Sequence, residues 1–318
     1  MVQILVMPQL HIALSQNPSR FNMNGIGIMQ GRLLPKYKGR YQAHPVGYWH
    51  NEFAIAANLK LDCIEFIFDF NDFELNPLYT KSGINKIREQ IDQTGIGVKS
   101  VCADYLMEAP FHSDNSSIVT SSQNIIINLL NNLALLEVRD LVIPCVDQSS
   151  LSDQNKLEKF INNIKPIIEI ADKNKINLSL ETDLNPELFS QLLNLLPHKN
   201  VTVNYDTGNS ASLGYDPLEE FKYYGHRISD IHIKDRKLNS GSVILGTGDV
   251  DFSRFFKALD TISYTSPFIM QVYRDDEGVE IFKKQLNFFK KLINLINANL
   301  HINSQQTLIV TIQRYLAC

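Results

Sequence analysis

The sequence predicts an α/β fold, a closed (β/α)8 or TIM barrel in a single domain, from three observations. Short apolar β runs alternate with stretches of helical periodicity. The alternation occurs eight times between about residues 25 and 300, roughly 35 residues per unit, which is the size of such a barrel. No glycine–serine linker or charge block divides the chain. An open doubly wound sheet is the alternative, although no G-x-G-x-x-G motif follows the first β run.

Each predicted unit is a strand followed by a helix, and the units fill the chain between its two ends. The predicted strands are Gly25–Gln30, Cys63–Phe68, Val98–Ala103, Leu141–Val146, Asn177–Glu181, Val201–Tyr205, Ile228–Ile233 and Phe268–Val272. The predicted helices are Trp49–Leu59, Ile84–Thr94, Ile118–Val138, Leu157–Lys173, Pro186–Leu196, Pro217–Tyr224, Phe252–Leu259 and Glu277–Asn297. We assign residues 23–300 to the barrel, residues 1–22 to an N-terminal extension and residues 301–318 to a C-terminal tail, without a functional role for either end.

Composition and charge narrow the classes of partner. Apolar residues make up 44 % of the 318 residues, and the formal net charge is −4. A mildly acidic chain does not attract DNA or an anionic membrane, so neither is expected as a partner. No apolar run reaches the length of about 18 residues that a membrane span needs. The four cysteines form no C-x-x-C pair, which favours buried thiols, a reducing compartment and hence the cytoplasm.

Strand ends are where this fold carries its chemistry, and alternation along each strand predicts which side chains point inward. In the fifth strand the leucines share one face, so Glu181 lies on the other. The same argument turns Asp206, His232 and Gln271 inward at the ends of the next three strands. Two carboxylates, an imidazole and an amide oxygen suit Mn²⁺, Mg²⁺, Co²⁺ or Zn²⁺. A metal-free polar network is the alternative interpretation.

Several segments of the chain carry a recognisable pattern. The segments Gly27–Leu33, Ile64–Phe66, Asp206–Asn209, His232–Arg236 and Gly246–Phe252 together resemble the sugar phosphate isomerase/epimerase family, whose members are xylose-isomerase-like TIM barrels. The resemblance covers about residues 23–300. It implies a metal set of Glu, Asp, His and Glu from strands five to eight. Gln271 departs from that set, because an amide cannot take up a proton as the second glutamate does.

The resemblance implies proton transfer next to a sugar carbonyl, through an enediolate that the metal stabilises. Glu181 is then the expected base as well as a ligand. Glu65 and Asp104 are inward by parity and are candidates for the second catalytic proton handler, and Asp147 after the fourth strand is another, unless they are structural carboxylates. The expected contacts to a sugar or sugar phosphate come from Arg32, Asp147, Lys234, Arg236 and Arg274, although the cations are equally consistent with salt bridges to acids such as Asp235 and Asp275.

Three other functions stay open. A dehydratase or lyase of the same barrel family would use the same metal and expel a hydroxyl group. An endonuclease-IV-like repair enzyme would need a multi-metal cluster and a basic groove, which the eight histidines and the net charge of −4 disfavour. A non-catalytic sugar-binding barrel would explain Gln271. The sequence does not decide the oligomeric state, and a homo-oligomer stays open.

Overall fold

Parallel strands in chain order form a closed eight-stranded barrel, in which β8 pairs with β1. The structure is a computed structural model that describes residues 24–301. The strands are β1 Ile26–Met29, β2 Cys63–Ile67, β3 Gly97–Cys102, β4 Asp140–Cys145, β5 Asn177–Thr182, β6 Val201–Asp206, β7 Ile228–Ile233 and β8 Phe268–Met270. The closed barrel confirms the predicted fold class and leaves no place for the open sheet.

Helices surround the barrel and account for every predicted helix. They are α1 Asn51–Asn58, α2 Lys81–Thr94, α3 Tyr105–Glu108, α4 Ser116–Leu133, α5 Gln154–Asn174, α6 Pro186–Leu195, α7 Thr207–Leu213, α8 Pro217–Tyr224, α9 Phe252–Leu259 and α10 Val279–His301. The short helices α3 and α7 were not predicted. The predicted extension 1–22 lies outside the described residues, and so does the predicted tail 301–318 beyond His301, which ends α10.

Side chains alternate between the two faces of the strands as predicted. Leu178, Leu180 and Met270 are buried in the large apolar core between strands and helices. A separate small cluster fills the barrel interior and contains Met29, Cys63, Ile67, Cys102, Val142 and Ile269. This inner apolar cluster comes mainly from β1 to β4 and β8. The described cysteines Cys63, Cys102 and Cys145 are buried free thiols.

The opposite side of the barrel interior is polar. Asp140 accepts hydrogen bonds from Ser229 at 2.6 Å and from Ser179 at 2.9 Å. The two serine hydroxyls also lie 2.9 Å apart, and Ser229 Oγ lies 2.7 Å from Thr202 Oγ1. These bonds tie β4, β5, β6 and β7 together below the ends of the strands. Buried polar groups need such partners, and here they find them across the barrel axis.

The segment after β7 is held by one carboxylate. Asp235 accepts hydrogen bonds from the backbone N–H groups of Gly246, Gly248 and Val250. Gly248 is required for this approach, because a Cβ there would lie 2.1 Å from Asp235 Oδ1. Asp235 therefore shapes the loop rather than forming one of the salt bridges considered above. None of the helices within residues 24–301 is both long and apolar enough to cross a membrane.

Candidate metal-binding active site

Three predicted ligands meet at the carboxyl ends of neighbouring strands. Glu181 lies at the end of β5, Asp206 ends β6 and His232 lies on β7, where it is the register partner of Asp206. One ligand atom from each of the three residues lies within 4.8 Å of the others, and all three side chains are buried. Two carboxylates and an imidazole at this spacing suit a divalent cation.

His232 is held between two pairs of acids. Its Nε2 lies 2.8 Å from Glu65 Oε1, while its Nδ1 lies 3.9 Å from Asp206 Oδ2. Glu65 Oε2 accepts a hydrogen bond from Ser100 at 2.6 Å, which holds the carboxylate in place. The Oδ2 atom of Asp230 lies 3.8 Å from the Nε2 atom of His232. Nε2 therefore faces Glu65 and Asp230, and Nδ1 lies on the side of Asp206.

Burial dominates the electrostatics of these carboxyl groups. Burial and the neighbouring Asp206 carboxylate raise the pKa of Glu181 to about 7. Burial also raises the pKa of Glu65 to about 7. For Asp230, burial and then the charge of Glu65 raise the pKa well above its usual range. So many buried acids around one imidazole are costly without a compensating cation, which further supports the fit of this site to a metal ion.

Asn209 links the carboxylates to the cations at the rim. Its Nδ2 donates to Glu181 Oε1 at 2.5 Å, and its backbone N–H donates to Asp206 Oδ1 at 2.8 Å. Its Oδ1 accepts from Arg236 Nη1 at 2.8 Å and from Lys234 Nζ at 3.3 Å. Lys234 Nζ also lies 3.3 Å from Asp206 Oδ2. Asn209 is thereby the residue that orients Glu181.

A cavity of about 530 Å³ opens above Glu181 at this end of the barrel. Its size suits a small polar molecule such as a sugar. Both signs of charge line it, and its acidic and basic side chains are Arg32, Arg40, Asp69, Asp104, Glu108, Asp147, Glu181, Lys234 and Arg236. Arg40 is paired with Asp69 through two hydrogen bonds of 2.5 and 2.9 Å, which leaves Arg32, Lys234 and Arg236 as the cations that face the cavity without a bidentate partner.

Gln271 also lines the cavity and is 5 % exposed. Its Oε1 is buried without a hydrogen-bond partner among the described residues. Arg32 is 1 % exposed, and its Nη1 is likewise an unpaired donor. An unsatisfied acceptor and an unsatisfied donor on one cavity wall indicate a ligand, because leaving such atoms unpaired costs about 1–3 kcal/mol each. The amide oxygen fits the role of a fourth metal ligand.

Of the remaining predicted site residues, some line the cavity and others do not. Asp104 and Asp147 line the cavity, Asp104 partly buried and Asp147 at the exposed rim. Glu65 is fully buried beneath the cavity and does not line it. Arg274 is also absent from the lining and donates to the carbonyl oxygens of Gly31 at 2.8 Å and Leu34 at 2.7 Å. Arg274 therefore holds the loop after β1.

Two residues of the site were not assigned a role from the sequence. Asn209 belongs to the Asp206–Asn209 motif, and its position three residues after a strand-end acid was an available signal. Gln42 lies in the loop after β1 and contacts Arg32, Asp104 and Gln271. No pattern in the sequence pointed to Gln42, because alternation predicts side-chain direction only within a strand.

Comparison with known proteins agrees with this architecture. The family model described as xylose isomerase-like TIM barrel matches residues 53–292, and the chain belongs to that family. Its relatives include SgbU of Escherichia coli K12, provisionally named an L-ribulose-5-phosphate 3-epimerase, which is 23 % identical over 247 residues. That match covers 71 % of this chain and 84 % of SgbU. Inosose dehydratase of Clostridium perfringens strain 13 is 27 % identical over 130 residues, 34 % of this chain and 44 % of that protein.

Solved structures share the fold. An L-ribulose 3-epimerase superposes with a TM-score of 0.68 at 15 % identity, covering 89 % of this chain and 99 % of the other. A D-allulose 3-epimerase from Methylomonas sp., solved with D-allulose, gives a TM-score of 0.63 at 18 % identity and covers 86 % and 98 %. The chain is thus a member of a TIM-barrel family whose relatives and structural neighbours include sugar epimerases.

Proposed function

We propose that this chain is a divalent-metal-dependent isomerase or epimerase of a sugar or sugar phosphate that transfers a proton through an enediolate. The observation that carries the proposal is the approach of Glu181, Asp206 and His232 ligand atoms to within 4.8 Å of one another, with Glu181 also lining the polar cavity. With Gln271 they would hold Mn²⁺, Mg²⁺, Co²⁺ or Zn²⁺. When bound, such a cation polarises the substrate carbonyl and stabilises the negative charge of the enediolate.

Glu181 is the base in this proposal. It lines the cavity, and a pKa near 7 suits a group that takes and returns a proton at neutral pH. The 2.5 Å hydrogen bond from Asn209 holds the Oε1 atom of this carboxylate in place. Lys234, bonded to Asn209 and Asp206, places a positive charge beside the developing negative charge.

The second proton handler in this proposal is Asp104. It lines the cavity, and burial raises its pKa, so it can hold a proton that a more exposed aspartate would release. Glu65, the other candidate, reaches His232 rather than the cavity. Arg32, Asp147, Lys234 and Arg236 are the proposed substrate contacts, and Arg274 supports Arg32 through the loop after β1. Buried free thiols support a reducing compartment, the cytoplasm, as the location.

A dehydratase is the second candidate. Gln271 cannot take up a proton, so Glu181 has no glutamate opposite it, and proton removal from one face followed by loss of a hydroxyl needs only one such base. Relatives named inosose dehydratase favour the same reading. The two reactions differ in their products, since an epimerase returns an isomer and a dehydratase releases water.

The metal centre is tested by loading the purified protein with Mn²⁺ and measuring metal content by elemental analysis. We expect stoichiometric metal in the wild type and none in His232→Ala. His226→Ala, which removes an exposed imidazole, serves as the matched control and should retain the metal. Unchanged metal in His232→Ala would show that the site is assigned wrongly.

The chemistry is tested by proton exchange in D₂O across a panel of ketoses, ketose phosphates and inososes. Incorporation of deuterium next to the carbonyl with an isomeric product supports the epimerase, and loss of water supports the dehydratase. Glu181→Gln should slow exchange by about 10²–10⁴-fold, the usual contribution of a general base. Tight Mn²⁺ binding without exchange of any sugar would favour the non-catalytic barrel instead.

A further inference from the structure

Two charged neighbours of opposite sign orient the side-chain amide of Gln42. Arg32 Nη2 lies 3.1 Å from Gln42 Oε1, and a guanidinium can only donate, so the oxygen must face Arg32. Gln42 Nε2 lies 3.0 and 2.8 Å from the two oxygens of Asp104 and donates to them. The guanidinium of Arg32 alone requires this orientation, and the two contacts to Asp104 agree with it. The position of the Gln42 oxygen therefore follows from chemistry on both sides.

The orientation of Gln42 determines that of Gln271. Gln271 Nε2 lies 3.3 Å from Gln42 Oε1 and donates to it. A flipped Gln271 would place its own oxygen against the oxygen of Gln42, with no hydrogen between them. The Gln271 Oε1 atom is consequently directed away from Gln42, and it is the atom left buried without a partner among residues 24–301.

We propose that Gln42 is a positioning residue, which holds Gln271 so that its Oε1 serves as a neutral oxygen ligand of the divalent cation. This inference rests on the proposed function, because it concerns the same metal centre. The positioning role of Gln42 explains why position 271 has an amide where the family resemblance implies a glutamate, because a carboxylate there would have no N–H to donate to Gln42. The hydrogen bond between the two glutamines thus links the residue that follows β8 to the loop after β1.

The experiment is a double-mutant cycle on Mn²⁺ affinity, measured by electron paramagnetic resonance of free Mn²⁺ and by calorimetry. Gln42→Met keeps the length of the side chain and removes both hydrogen-bonding groups. We expect it to weaken Mn²⁺ binding about tenfold, as outer groups that orient metal ligands do. Gln148→Met, at an exposed glutamine on the same cavity, is the matched control and should leave the affinity unchanged.

The cycle is completed in a Gln271→Met background. If Gln42 acts through Gln271, Gln42→Met has no further effect there, because the ligand that it orients is already gone. Thermal unfolding of each metal-free variant checks that the fold is retained. Equal Mn²⁺ affinity in the wild type and Gln42→Met, or additive losses in the double variant, would overturn this inference alone. Failure of the wild type to bind Mn²⁺ would overturn the proposed metal centre and this inference with it.

Discussion

Glu65 Oε1 and His232 Nε2 lie 2.8 Å apart, and neither side chain has any exposed surface. This contact places a carboxylate beside Nε2, while Nδ1 lies on the side of Asp206, 3.9 Å from its Oδ2. Metal-binding histidines are commonly oriented by a carboxylate in this way. The geometry therefore assigns Glu65 to the support of His232.

Replacing Glu65 with Gln is predicted to weaken Mn²⁺ binding about 10–100-fold, the usual effect of losing such a partner. The amide keeps the volume of the side chain but removes the negative charge that lies 2.8 Å from Nε2. Calorimetry gives the affinity, and the ¹⁵N resonances of labelled histidine report which nitrogen carries the proton. Glu108→Gln, which removes an exposed carboxylate from the cavity rim, is the control. An equal loss in both variants would mean that only the net charge matters.

Gln271→Glu is predicted to keep or raise Mn²⁺ affinity while making the metal-free protein less stable. The added carboxylate attracts a dication by several kcal/mol at short range, whereas the lost hydrogen bond to Gln42 contributes about 1 kcal/mol. Without metal, the same carboxylate joins other buried acids, which is unfavourable. Calorimetry and thermal unfolding with and without chelator measure the two effects. A clear loss of affinity would place Gln271 outside the ligand set.

Gly248→Ala is predicted to destabilise the protein by about 1–3 kcal/mol, the range for overpacked sites. The new methyl group would lie 2.1 Å from Asp235 Oδ1 and 2.7 Å from the carbonyl oxygen of Arg236, so the loop after β7 must shift. Gly241→Ala, in the same loop, is the control, because no atom lies within 4 Å of its added Cβ. Urea unfolding compares the two, and similar free energies of unfolding would contradict the assigned role of Asp235.

His44 is predicted to make the protein sensitive to acid. Its Nδ1 donates to Gln30 Oε1 at 2.8 Å, and burial lowers its pKa to about 3. Between that value and the ordinary 6.5, the unfolded chain binds a proton that the folded protein does not, so stability falls as the pH falls. Between pH 7.5 and pH 5, we expect His44 to lower the free energy of unfolding by about 2 kcal/mol.

The comparison is made by urea unfolding of the wild type and His44→Gln at both pH values. The variant should lose less stability on acidification than the wild type by that amount. His226→Gln removes an exposed imidazole instead and is the matched control. An identical loss in the wild type and His44→Gln would show that His44 takes up a proton equally in both states.

The fold and the clustering of the three candidate ligands were predictable because strand alternation is a local rule. Glu181, Asp206 and His232 follow from the positions of their apolar neighbours, and the closed barrel then brings them together. The same rule correctly predicted that the Glu65 side chain points into the barrel. It did not predict how far below the cavity this side chain lies. Ile67 follows it on the same face of β2, so Glu65 lies one layer below the strand end.

Residues outside strands could not be placed in this way. Gln42 reaches the site from a loop of the β1–α1 connection, and its direction depends on contacts with Arg32 and Asp104, which come from separate parts of the chain. Arg274 follows β8, where strand alternation has ended, and it turns toward the backbone of Gly31. In both cases tertiary contacts decide the direction of a side chain that local sequence leaves open.

The barrel interior is divided into a polar half and an apolar half, and the two halves should differ in the substitutions that they tolerate. In one half, the hydroxyl groups of Ser179, Thr202 and Ser229 form a hydrogen-bonded network with Asp140. This network connects β5, β6 and β7, the strands that carry Glu181, Asp206 and His232, to β4. The facing half is filled by thioether, thiol and aliphatic groups, which tolerate exchange for others of similar volume. We therefore expect volume-conserving substitutions in the apolar half to be tolerated better than loss of a hydroxyl group in the polar half, which supports the strands that carry Glu181, Asp206 and His232.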